Sequence, residues 1–258
     1  MKRKEIASVV SGEWIAEGIR KLKLGVSFAA DVRAGQFISV FSADGSRFLP
    51  RPISVCETSP EEGTLTIVFR VVGAGTAEFS CLKRGDRVEV IGPLGNGFPV
   101  EKSEGKRLLL VGGCIGIPPM LAAGRAADKA AEIIYAVGYR SADTYLLEEL
   151  RGTGRVLIST DDGSLGVHGT VLDAISEDCT EADLIFACGP KPMLRAVKAF
   201  AAEHGTECYL SMEERMACGI GVCLGCICGT TEVDEHSQVK NKRVCADGPV
   251  FRAEEVEL

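Results

Sequence analysis

The sequence predicts a small closed β-barrel over residues 1–100, a parallel α/β sheet over residues 101–210 and a short cysteine-rich subdomain over residues 211–258. Three observations predict this order. Short runs with period-two alternation, separated by turn residues, fill the first hundred positions. Unbroken apolar runs then alternate with helical stretches. Near the C-terminus Cys218, Cys223, Cys226 and Cys228 lie within eleven residues, and Cys245 follows after a polar loop.

A chain of 258 residues, 46% of them hydrophobic, can bury two modest cores. The net charge of -7 gives no electrostatic support to a nucleic-acid role. No apolar run approaches the length of a membrane span. The basic start, Met1 to Glu5, is followed by no apolar h-region, so no signal peptide is expected. Eleven cysteines, odd in number and clustered, fit metal binding in a reducing cytoplasm better than secretion.

In the first hundred residues, the stretch from Ile19 to Leu24 alternates, and over Thr64–Val71 the residues Leu65, Ile67, Phe69 and Val71 share one face. Further strands are expected at Gln36–Phe41, Arg51–Cys56 and Arg87–Ile91. Turn signals at Ala34-Gly35, Asp44-Gly45, Glu62-Gly63 and Arg84-Gly85-Asp86 separate them. Strands at this interval suggest a closed barrel. Arg51-Pro52-Ile53-Ser54 opens one strand. Arg70 ends another, ahead of Gly73-Ala74-Gly75-Thr76 and a short helix expected over Thr76–Leu82. An arginine fork beside a glycine-threonine helix start makes a phosphate site. Each motif alone also fits a surface arginine or an ordinary glycine turn.

Past a charged linker at Lys102–Lys106, the runs Leu108–Val111, Ile133–Val137, Val156–Ile158 and Leu184–Ala187 lack alternation, as strands buried on both faces do. Helices are expected at Pro118–Ala131, Ala142–Leu150, His168–Ile175 and Pro192–His204. The first strand runs into Gly112-Gly113-Cys114-Ile115-Gly116-Ile117-Pro118, a glycine-rich turn with proline in the first helical turn. The fourth runs into Cys188-Gly189-Pro190. Both turns fall at the carboxyl ends of strands, where such sheets bind ligands. Tyr139-Arg140-Ser141 follows the second strand with no acidic residue, so the usual cue that separates NAD from NADP is missing there. His168, His204 and His236 are scattered, without ligand spacing.

The spacing Cys218-x4-Cys223-x2-Cys226 is the plant-type pattern for a [2Fe-2S] cluster, which needs one more cysteine at a distance. Gly219, Gly221 and Gly225 allow the backbone to wrap closely. A structural zinc site is the alternative, but zinc loops usually pair two C-x2-C knuckles.

The order of barrel, R-P-I-S and R-V-V-G-x-G-T resembles the flavin domain of the ferredoxin-reductase family, and the middle third resembles that family's nicotinamide domain. Carried over by position, the resemblance implies that Arg51, Pro52, Ile53, Ser54, Val68, Phe69, Arg70, Gly75 and Thr76 hold FAD. It implies that Gly112, Gly113, Cys114, Gly116, Pro118, Cys188, Gly189 and Pro190 hold NAD+. Cys114 stands where relatives usually carry glycine, and a side chain there would crowd the pyrophosphate. The approach Glu214-Arg215-Met216-Ala217-Cys218-Gly219 and the exit Val244-Cys245-Ala246-Asp247-Gly248-Pro249-Val250-Phe251 closely resemble the electron-transfer subunits of dihydroorotate dehydrogenase B. That resemblance implies Cys218, Cys223, Cys226 and Cys245 as cluster ligands, with Cys228 an extra thiol. It also implies a cytoplasmic heterotetramer, two chains of this kind with two FMN-containing catalytic subunits that oxidise dihydroorotate in pyrimidine synthesis. Electrons then pass through the cluster and FAD to NAD+. Reductase subunits of transhydrogenases, hydrogenases or sulfite reductases share the architecture. A zinc-stapled adaptor is the non-enzymatic alternative.

Overall fold

The structure, a computed structural model, describes residues 2–178, 181–233 and 238–258. The barrel comprises β1 (Arg3–Ala16), β2 (Ile19–Gly25), β3 (Phe37–Val40), β4 (Arg51–Ser59) and β5 (Thr64–Arg70), then helix α1 (Ala74–Ser80) and β6 (Arg87–Leu94). It closes in the order β1-β2-β5-β4-β3-β6, as the regular spacing of strands and turns predicts. The long first strand was not legible as one. Only Ala7 and Val9 of β1 are buried apolar residues, and Arg3, Lys4 and Glu13 dilute its alternation. Its backbone pairs with β2 and β6, and those ladders make it a strand.

The second unit runs β7 (Arg107–Gly113), α2 (Ile117–Ala126), β8 (Glu132–Tyr139), α3 (Leu147–Arg151), β9 (Arg155–Thr160), β10 (Val167–His168), α4 (Val171–Glu177), β11 (Leu184–Cys188), α5 (Lys191–His204) and β12 (Glu207–Ser211). The four anticipated strands all form, and they are parallel neighbours in the order β9-β8-β7-β11. The helix expected over Ala142–Leu150 shrinks to α3. Leu146 takes a left-handed φ of 59°, and Tyr145 and Leu146 bury their side chains instead. The Tyr139 hydroxyl donates to the Tyr145 carbonyl at 2.8 Å and holds that turn. Helix α2 stops at Ala126, short of Ala131, where a turn returns the chain to β8.

The tail forms β13 (Ile227–Gly229), β14 (Asn241–Arg243) and β15 (Val250–Arg252). Strand β15 pairs antiparallel with β12, which makes the large sheet seven-stranded, β10-β9-β8-β7-β11-β12-β15. Leu22, Leu24, Ile38, Ile67 and Phe79 fill the barrel interior. On one sheet face Leu108, Leu110, Met120 and Phe186 pack against Ile19 and Val68 from outside the barrel. On the other face Leu109, Val111, Leu194 and Val197 join Phe37 and Leu94 of the barrel and Cys226, Val244 and Cys245 of the tail. All three segments therefore share apolar contacts. No helix among the described residues is long and apolar enough to cross a membrane.

Candidate functional site

Strand β4 presents the R-P-I-S motif. Paired residues on neighbouring antiparallel strands share a face. Ile53 pairs with Ile38 and lies in the barrel interior, whereas Pro52 pairs with Ser39 and Ser54 with Phe37 on the outer face. Phe69 also points inward, and Val68 packs toward the second unit. Ile53 and Phe69 therefore offer an outer ligand only their main chain. The structure brings Arg51 to the glycine motif. A Cβ on Gly75 would come within 2.9 Å of Arg51 Nε, so only glycine lets the guanidinium lie there. Arg51 Nη1 donates to the Leu49 carbonyl. The Thr76 hydroxyl accepts from the Val72 and Gly73 amides at 3.0 and 3.1 Å, so it braces the turn before α1.

The parallel sheet reverses direction of growth between β7 and β11, which is the topological switch point where such sheets open a crevice. Gly112–Pro118 follows β7 and Cys188–Pro190 follows β11, so the two predicted motifs meet there. Their glycines have a packing reason. A Cβ on Gly113 would come within 2.5 Å of Met193 Sδ, and one on Gly116 would run into the Cys188 carbonyl. The loops interlock. Cys114 adopts φ 50°, in the left-handed region that favours glycine, and the Tyr145 hydroxyl donates to its carbonyl. Strand β5, which ends at Arg70, packs against the turn at Cys114–Gly116 and so brings the barrel motif to the glycine-rich loop. Burial pushes the Cys188 thiol up to about 12, so it stays protonated.

Sequence reasoning missed the acids at this end of the sheet, because they follow β9 rather than β8. The Asp161 amide donates to the Tyr139 carbonyl at 3.1 Å and the Asp162 amide to the Arg140 carbonyl at 3.3 Å. Ser164 Oγ accepts from the Ala142 amide at 2.7 Å, and Asp162 Oδ1 accepts from the Ser164 amide at 2.9 Å. The Asp161-Asp162 pair thus stands beside Arg140. The hydrogen bonds from Ser164 hold the Asp162 carboxyl below its ordinary range.

The cysteine loop lies on the outer face of β3 and β6. The Val222 amide points to Cys218 Sγ at 3.3 Å, the Cys218 amide to Cys223 Sγ at 3.5 Å and the Cys245 amide to Cys226 Sγ at 3.4 Å. These contacts link Cys218 with Cys223 and Cys226 with Cys245. Among the described residues no three His, Cys, Asp or Glu side chains converge on one metal position. A [2Fe-2S] cluster takes four thiolate donors, and the loop and its exit supply four cysteines at the plant-type spacing. Burial opposes ionisation of Cys218, but the amides of Ile220, Cys223 and Val222 and the Cys223 thiol outweigh it and hold the thiol at about 6. Cys245 is pushed up to about 12 by burial and by contact with the Cys226 thiol. Cys228 is buried, pairs with Lys242 in the β13–β14 ladder and packs within the apolar core.

Arg243 closes the loop. Its Nη1 donates to the Gly221 carbonyl at 2.9 Å, and its Nε and Nη2 grip the Asp247 carboxylate at 3.0 and 2.9 Å. Asn96, leaving the barrel, donates through its amide to the Gly248 carbonyl at 2.6 Å and through Nδ2 to the Asp247 carbonyl at 2.9 Å. A cavity of about 540 Å³ opens beside Asn96, Tyr209 and Arg252 at the β15 edge. It lies away from the switch point, and its Lys242 and Arg252 are already paired with Glu255 and Glu254. Neither His168, exposed on β10, nor His204, bonded to the Phe200 carbonyl at 2.8 Å, belongs to any of these sites; His236 lies outside the described residues.

Residues 213–257 match the family model for the iron-sulfur cluster binding domain of dihydroorotate dehydrogenase B. Over 97% of both chains, the sequence is 43% identical to the dihydroorotate dehydrogenase B (NAD(+)) electron transfer subunit of Listeria monocytogenes serotype 4a. The chain belongs to this family of electron transfer subunits. The Bacillus caldolyticus member is 41% identical over 99% of both chains. Among solved structures, a chain of the NADH-dependent reduced ferredoxin-NADP oxidoreductase superposes with a TM-score of 0.86 at 31% identity, covering 98% of this chain and 90% of that one. A ferredoxin NADP+ reductase from Neisseria gonorrhoeae with bound FAD and NADP shares the fold at a TM-score of 0.65 and 15% identity, covering 83% of this chain and 95% of that one.

Proposed function

We propose that this chain is the electron-transfer subunit of a dihydroorotate dehydrogenase that delivers electrons to NAD+. Its barrel (1–100) holds FAD, its α/β unit (101–210) receives NAD+ and its tail (211–258) holds a [2Fe-2S] cluster. The observation that carries this reading is contiguity. The cysteine loop rests on β3, the strand beside the R-P-I-S strand, and β5, which Arg70 ends, packs against the turn at Cys114–Gly116. When bound, the cluster exchanges single electrons, nicotinamide accepts a hydride and a flavin does both, so the flavin site belongs between the other two.

The residues have distinct tasks. Arg51, fixed over Gly75, supplies the guanidinium for a flavin phosphate, and Pro52 and Ser54 present the outer face of β4. Gly112, Gly113, Cys114, Gly116 and Pro118, with Cys188, Gly189 and Pro190, form the walls of the nicotinamide crevice. Cys218, Cys223, Cys226 and Cys245 are the four thiolate donors. Val222 and Leu224, 76% and 57% exposed on the loop, face outward for a catalytic partner. That partner carries FMN and oxidises dihydroorotate, in an assembly of two subunits of each kind. The chain works in the cytoplasm, where these thiols stay reduced.

The test is to purify the chain with its native partner and assay NAD+ reduction driven by dihydroorotate. The expected result is turnover by the complex and none by either subunit alone. Turnover with another donor but not with dihydroorotate would remove the assigned reaction and leave the family membership intact.

A further inference from the structure

Ser39 is the feature that the sites above leave unexplained. Its side chain lies on the outer face of β3, with Phe37 two residues before it on the same face. Phe37 packs in the same core cluster as Cys226 and Cys245, so this face of β3 is the floor under the cysteine loop. Ser39 itself is 1% exposed, and its hydroxyl has no hydrogen-bond partner. A buried hydroxyl left unbonded costs about 1–3 kcal/mol, so such a group calls for a partner that completes it. Across the ladder stands Pro52, which has no amide hydrogen to offer.

The hydroxyl is directed at the cysteine loop. A Cβ on Gly219 would come within 2.8 Å of Ser39 Oγ, and Gly219 directly follows Cys218 with φ 67°. The unmet group is thus a donor held against the loop at its first thiol. A loaded loop presents there thiolate and sulfide sulfur carrying negative charge. A hydroxyl proton fits such an acceptor, and hydrogen bonds to the sulfurs are one of the protein's means of setting a cluster's potential.

We infer that Ser39 is a positioning residue for the cluster, its hydroxyl donating a hydrogen bond to a sulfur on the Cys218 side. This rests on the [2Fe-2S] assignment proposed above. Ser39 also pairs with Pro52 on the outer face of β4, the face proposed above for the flavin, so the same residue joins the floor of the cysteine loop to that strand. A donor to sulfur favours the reduced, more negative cluster. Loss of the hydroxyl therefore makes the cluster harder to reduce.

The experiment is an EPR-monitored redox titration of the holoprotein in its complex, comparing wild type with Ser39→Ala and Ser39→Thr. In Ser39→Ala the one-electron reduction equilibrium should fall about tenfold, a midpoint lowered by ~59 mV. Ser39→Thr keeps the hydroxyl and should stay at the wild-type midpoint. Pulsed EPR in D2O should show an exchangeable deuteron coupled to the cluster in wild type and Ser39→Thr that is missing from Ser39→Ala. If Ser39→Ala does not load a cluster, Ser39→Thr and Ser39→Val, alike in shape, give the same comparison. An unchanged midpoint and deuteron spectrum without the hydroxyl would overturn the inference. A wild-type protein with no [2Fe-2S] signal on reduction would overturn the cluster assignment itself, which is a separate result.

Discussion

At the scale of single residues, the cysteines separate by what surrounds them. Cys218 and Cys223 share a glycine-rich loop whose amides point at sulfur, and Cys226 and Cys245 meet under it. Cys228 follows Cys226 by two positions and shares its buried cluster, but it belongs to the β13–β14 ladder, and among the described residues no other cysteine's amide points at its sulfur. Replacing Cys228 with serine should keep the visible spectrum of the cluster and lower stability modestly. Replacing Cys226 should abolish the spectrum. The check is absorption and iron content of the purified variants, and a lost spectrum in Cys228→Ser would mean a different set of four. The spacing C-x4-C-x2-C points to Cys226, with Cys228 an extra thiol close enough to compete with it. The Cys245 amide, which points at Cys226 Sγ, separates them.

Among the elements, the adjacency of strands β8 and β9 decides what meets the dinucleotide. Their ends are joined by amides of Asp161 and Asp162 donating to carbonyls of Tyr139 and Arg140. With the dinucleotide seated at the switch point as proposed, the Asp161 carboxylate repels the 2′-phosphate of NADP and tolerates the 2′-hydroxyl of NAD. Specificity then comes from rejection of the wrong ligand as well as attraction of the right one. Asp161→Ser leaves the Asp162–Ser164 turn intact, and it should raise the kcat/KM ratio of NADPH over NADH about tenfold, near 1.4 kcal/mol. Steady-state oxidation of both cofactors with an artificial acceptor measures it, and an unmoved ratio would show that the acids play no part. Searching the turn directly after β8 could not find this pair. The signal was Asp161-Asp162-Gly163-Ser164 after the next strand, readable only once β8 and β9 are known to be neighbours.

For the molecule as a whole, the barrel has an interior core of its own, but its outer face shares apolar cores with the other two segments. Phe37 and Leu94 leave the barrel to pack with Leu109, Leu194, Cys226 and Cys245. Strand β15 carries the tail back into the sheet beside β12. The shared outer core should couple the barrel to the cysteine loop, so that the two lose structure together. Phe37→Ala should lower stability by about 3–5 kcal/mol, as large-to-small changes in a core do. Flavin and cluster absorbance should then melt at one lowered temperature. Two transitions, with only the cluster's shifted, would show that the tail rests on the barrel without being part of its core.

Local chemistry alone determined a good deal. Period-two alternation with regular turns announced a barrel, unbroken apolar runs a parallel sheet, and C-x4-C-x2-C a cluster loop, because each pattern follows from nearest-neighbour geometry and ligand demand. Tertiary structure decided what depends on residues far apart in the chain. It made Arg3–Ala16 a strand through partners on both sides, and gave Gly113 and Gly116 their purpose in the interlocking of two loops. It set Arg51 over Gly75, brought Asp161 beside Arg140 and laid the cysteine loop over Ser39. In each case the deciding contact joins separate segments, and no spacing within one segment encodes it.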